Sequence, residues 1–116
     1  MPLSRSFKET VKARAERDEA FRNALLTEGV DALLAGDVDT GKAILRDYIN
    51  ATIGFEKLAE DTGTPAKSLM RMLGPRGNPN ARNLFSVIHR LQNASGVSLS
   101  VHTARERRSR RGRPFA

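Results

Sequence analysis

Apolar residues recur along most of this chain at intervals of three and four, the spacing that puts them on one side of a helix. Phe7 and Val11 open the series behind Ser6 and Glu9, whose S-x-x-E spacing is that of a capping box. Asp18 predicts the next N-cap, with Phe21, Leu25, Val30, Leu33 and Leu34 along the helix after it and Gly36 ending it. Asp37 or Asp39 caps a third helix carrying Ile44, Leu45, Tyr48 and Ile49. After the break at Thr52, Ile53 and Gly54, a short helix over 55–61 turns Phe55, Leu58 and Ala59 inward. Thr62, Gly63 and Thr64 form a turn. Pro65 suits the first position of a new helix, where a missing N–H costs nothing. That helix turns Leu69, Met72 and Leu73 inward and ends at Gly74 and Pro75. Gly77, Asn78 and Pro79 form a loop. Asn80 caps a last helix over 80–93, with Leu84, Phe85, Ile88 and Leu91 on one face. Beyond Gly96 the period changes to two: Val97, Leu99 and Val101 alternate with polar residues, which predicts a short strand. The expected fold is all-α, a single domain over 1–103 built as a bundle of about five to six helices with that C-terminal strand.

Composition agrees with a small helical core, since hydrophobic residues are 39% and aromatics only 5% of 116 residues. With no Cys, disulfides and thiolate metal sites are excluded. No apolar run approaches the roughly 20 residues of a membrane span, and Met1 to Glu9 lack a signal-peptide core, so the expectation is a cytoplasmic protein without a membrane partner. The net charge of +7 is unevenly spread. Residues 31–61 hold seven acids against three bases, a net of −4, whereas 62–105 contain no acid and six bases. Residues 104–116, ARERRSRRGRPFA, hold six Arg and one Glu and predict a disordered tail. A long stretch of one sign favours a polyanionic partner over a merely solvated face.

The spacing over 54–74 predicts a repressor-like helix-turn-helix. Two short helices cross steeply only if a small residue lies between them, and Ala59 supplies it. Gly63, four residues on, supplies the turn with positive φ. The outer face of the second helix is then Thr64, Ala66, Lys67, Ser68, Met70 and Arg71: two cations, two hydroxyls and no acid, fit for a DNA major groove. An ordinary αα-hairpin shares the Ala and the Gly but has no reason to keep acids off its outer face. Arg71 suits a bidentate contact to guanine, and Lys67, one turn away, a base or a phosphate. Arg76, Asn78, Asn80, Arg82 and Asn83 cluster in the loop and at the next helix start, where backbone N–H groups also attract phosphate. For Asn78 and Asn80 local capping explains the residue equally well.

The run LRDYINATIGFEKLAEDTGTPAKSLMRMLGPRGNPNARNLFSVIHRLQ closely resembles a family of bacterial helix-turn-helix proteins described as probable addiction-module antidotes, related to phage-repressor-like regulators. SRSFKET and LLAGDVDTGKAILRDYIN are similar to the same family, so the resemblance covers about residues 3–102, and TPAKSLMRMLGPRGNP and ARNLF are its most specific parts. It implies an antitoxin that pairs with a small toxin of the RelE/ParE-like type and represses its own operon. The repressor-type contacts it implies fall on Thr64, Ala66, Lys67, Ser68, Arg71 and the Arg76 to Asn83 loop. The Arg-rich tail departs from the family's pattern.

Catalysis finds no support. His89 and His102 have no second ligand at metal spacing, and the acids of 31–61 are dispersed. No phosphate-binding glycine loop or nucleophile elbow occurs, and no cofactor is expected. The expectation is a sequence-specific regulator that binds operator DNA as a homodimer, because one recognition helix gives little specificity and two read half-sites about 34 Å apart. Two other activities fit the same residues. The acidic N-terminal bundle suits a basic toxin, with DNA binding secondary, and the Arg tail suits non-specific nucleic-acid binding.

Overall fold

The structure is a computed structural model that describes residues 5–105. The described residues form six helices: α1 (Arg5–Arg17), α2 (Glu19–Leu34), α3 (Val38–Ala51), α4 (Phe55–Thr62), α5 (Ala66–Met72) and α6 (Ala81–Ser95). Three of the starts are set by the side chains expected to set them. Asp18 accepts the Phe21 N–H at 3.0 Å, Asp37 that of Thr40 at 3.2 Å and Asn80 that of Asn83 at 2.8 Å, each satisfying a first-turn donor. Pro65 sits at the cap, one position before the expected one, with Ala66 as the first helical residue.

Helices α1–α3 pack on one another, as do α4–α6, and side chains weld the two groups into one core. Leu26, Leu45, Tyr48 and Ile49 meet Phe55, Leu58, Leu69, Leu73, Val87, Ile88 and Leu91 in a single buried cluster. Several apolar residues expected to face inward lie outside it, Phe7 at 51% exposed among them. Leu34 is 63% exposed, because the inward line of α2 runs through Leu26, Gly29, Val30 and Leu33, leaving the next residue about a quarter-turn away. Phe85 is 64% exposed for the same reason: Leu84, Val87, Ile88 and Leu91 form the inward line of α6.

The expected C-terminal strand is absent among the described residues. Residues 97–105 carry no regular structure, and Val101 is exposed. The alternation is nevertheless real: Val97 and Leu99 pack against the core. The Leu99 N–H donates to Gln92 Oε1 at 2.7 Å, so a side chain of α6 takes the role a partner strand would have had. The expected Arg-rich tail lies, from residue 106 onward, outside the described residues. No described helix is long and apolar enough to cross a membrane.

The cap of α2 carries a pH dependence. The Phe21 N–H, and then Arg14 at 3.3 Å, hold the Asp18 carboxyl below its ordinary value. The folded state therefore binds this proton less readily than the unfolded chain. The cap's contribution is full above the ordinary aspartate value of about 3.9 and is lost as pH falls through the depressed one. Asp18→Asn keeps a capping oxygen and loses the charge. Its melting temperature is expected below the parent's at neutral pH, and thermal melts across acidic pH should show the gap closing.

Candidate nucleic-acid interface

The short helices α4 and α5 form the outer corner of the molecule. Phe55 and Leu58 bury one face of α4, and the chain then reverses through Gly63, whose φ is +74. That left-handed backbone is cheap only without a Cβ. Thr62 ties its hydroxyl to the Leu58 carbonyl at 2.8 Å, and the Thr64 N–H reaches the same hydroxyl at 3.3 Å. Leu69 and Leu73 anchor α5 from beneath. Lys67 and Arg71, one turn apart, consequently stand on the face directed away from the core, and both are exposed.

The segment leaving α5 is held by α3. Lys42 is 3% exposed, and its ammonium donates to the Gly77 carbonyl at 2.6 Å and the Gly74 carbonyl at 3.1 Å. Arg46, one turn along, donates to the Leu73 carbonyl at 2.7 Å. Two cations thus meet the cap carbonyl of Leu73 and the loop carbonyls of Gly74 and Gly77, just beyond the C-terminal end of α5, where the helix dipole also favours positive charge. Gly77 fits against that end with nothing to spare: a Cβ there would collide with the carbonyl oxygens of Arg71 and Met72. The 74–80 loop is folded tightly back over the helix it leaves.

Between α5, this loop and the start of α6 lies an open cleft of about 410 Å³. Of the ten residues expected at the site, it gathers Thr64, Ser68, Arg71, Arg76, Asn78, Asn80 and Asn83. Lys67 and Arg82 are exposed but stand outside it. Ala66 is half-buried, packs against the core at the foot of α5 and stands outside the cleft. The Asn80 carbonyl oxygen is committed to capping α6. Thr64 and Ser68 are half-buried at the cleft wall, and Arg71, Arg76, Asn78 and Asn83 are exposed. Ion pairs among the described residues lie elsewhere, at Arg14–Asp18, Lys42–Asp39, and Lys57 with Glu60 and Asp61. Among the described residues, the cations around the cleft have no carboxylate to neutralise them.

Sequence patterning missed four contributors. Thr62 and Ser86 line the cleft. Ser86 lies three residues after Asn83, on the same side of α6, and that spacing was the available signal. Lys42 and Arg46 position the loop; the clue to Lys42 was a cation in register with Leu45 and Ile49 on the buried stripe of α3. Among the described residues no cluster of His, Asp or Glu could hold a metal ion.

Lys42→Met keeps the apolar stem and removes the head that satisfies two carbonyls. The expected loss of stability is about 1.5–3 kcal/mol, the worth of hydrogen bonds to a charged group. Urea unfolding measures it, and amide exchange should show faster opening over 74–80 than over α2. Comparison with known proteins finds no matching family model, no matching curated protein and no matching solved structure.

Proposed function

We propose that this protein is a sequence-specific DNA-binding regulator in which α4, the Gly63 turn and α5 act as a repressor-like helix-turn-helix. The observation that carries this reading is the outward face of α5: Lys67 and Arg71 stand exposed, with no ion pair among the described residues, beside a cleft lined by Ser68, Arg76, Asn78 and Asn83. Arg71 contacts base edges in the major groove, most favourably O6 and N7 of guanine. Lys67, Arg76 and Arg82 take phosphates on either side, and the first turn of α6 presents free N–H groups to the backbone. The protein acts as a homodimer on a two-fold operator. The resemblance over 3–102 to addiction-module antidotes supports a role as antitoxin and autorepressor.

A specific observation favours a second activity, binding of a basic protein. At the turn of the α2–α3 hairpin, Leu34 and Val38 are exposed among the exposed acids Asp31, Asp37 and Asp39. An acidic rim around apolar side chains suits a cationic partner, such as the RelE/ParE-like toxin the resemblance implies. Co-expression with the product of the adjacent reading frame tests it: a complex lost in Leu34→Asp but kept in Arg71→Ala assigns the partner to this end.

For the first activity, Arg71→Ala should weaken binding to the operator of its own gene by about 1–3 kcal/mol and relax selectivity against random DNA. Fluorescence anisotropy reads both. A folded variant with unchanged affinity and selectivity sinks the assignment. The Arg residues at 105, 107, 108, 110, 111 and 113 contact phosphate without choosing sequence. Truncation after Ala104 should therefore flatten the slope of log affinity against log salt and leave the preference for the operator intact.

A further inference from the structure

One exposed side chain on α5 has no use in phosphate binding or in hydrogen bonding to bases. Met70 is 44% exposed and stands three residues after Lys67, beside it on the helix surface. The outer face of α5 is therefore two-sided. Ser68 and Arg71 border the polar cleft on one flank. Met70 forms an apolar flank on the other, next to the same two cations. Leu69 and Leu73 already anchor α5 to the core, and Leu69 is only 2% exposed, so Met70 is not needed to hold the helix down.

A thioether gains nothing from phosphate oxygens. Among the groups that base pairs present in the major groove, the thymine C5-methyl is the apolar one. Met is unbranched and polarisable and fills an irregular apolar contact well. We propose that Met70 is a specificity-determining residue that packs on the C5-methyl of a thymine, so that the preferred site carries a thymine next to the base contacted by Arg71. The proposal rests on α5 being the helix that enters the major groove, and it adds a base identity that hydrogen bonding by Arg71 does not supply.

The test works whatever the operator is. The full chain selects duplexes from a library randomised over 20 base pairs, and the enriched sequence is resynthesised with each thymine in turn replaced by deoxyuridine. That change removes a methyl group and leaves every hydrogen-bonding group of the base in place. At one thymine per half-site the expected loss is about fourfold in affinity, the worth of one buried methyl group. In Met70→Ala, whose fold is checked by circular dichroism, the same replacement should have no effect. If the library yields no enriched sequence, α5 is not a base reader, and the proposed regulator function fails together with this inference. If a sequence is enriched but no deoxyuridine replacement weakens binding, or the loss persists in Met70→Ala, then Met70 does not read thymine. The assignment of Arg71 survives that outcome.

Discussion

The ammonium of Lys42 holds the two halves of this small protein in register. It leaves α3, passes through the core and ends on the carbonyls of Gly74 and Gly77, 32 and 35 residues further along the chain. A cation this deeply placed is tolerated only because several oxygens surround it, and Asp39 adds a carboxylate at 3.6 Å. The shape of the cleft depends on that attachment. With it, α5 ends where Arg46 can take one more carbonyl, Gly77 folds against the helix end, and Arg76 and Asn78 emerge beside Arg71. Without it, α5 and its loop would rest on the apolar contacts of Ala66, Leu69, Met72 and Leu73 and on the single bond from Arg46.

Charge is sorted along the same axis. The acids of 31–61 lie on α2, α3 and α4, and the acid-free stretch begins where α4 ends. Lys57 is drawn into pairs with Glu60 and Asp61, Lys42 leans toward Asp39, and Arg46 is taken by the Leu73 carbonyl. The cations on α5, its loop and α6 make no ion pair among the described residues. A molecule so divided orients in the field of a polyanion before contact, which raises encounter rates at low salt.

Much of this was legible in the sequence, for reasons that differ by element. Asp18, Asp37 and Asn80 were readable as caps because a short acceptor before an apolar run has one favourable use, and each has it. Gly63 was readable because a reversal between two short helices needs a left-handed residue. The faces of α2 and α6 were harder. Paired apolar residues such as Leu33–Leu34 and Leu84–Phe85 leave the phase of a helix ambiguous by about 100°, and tertiary packing turns only the first member of each pair inward. The strand that the alternation predicts does not form among the described residues, because period two reports alternating burial and not a partner. Val97 and Leu99 satisfy the alternation by docking on α6, with Gln92 receiving the amide. Lys42 was hidden because a lysine in an apolar stripe reads as a flaw until its carbonyl acceptors are known.

The grip of Lys42 and Arg46 falls on main-chain oxygens, which every amino acid carries alike. Their hold on the 73–77 segment is therefore blind to the exposed side chains mounted there, while Leu73 is fixed by the core and Gly74 and Gly77 by close packing against main-chain oxygens. Positions 76 and 78 can be exchanged without disturbing the clamp beneath them. The loop behaves as a replaceable tip on a fixed handle. A lineage carrying this scaffold has two surface codons at which the lining of the cleft can drift while stability stays put, and an engineer wishing to reshape that lining has the same two places to begin.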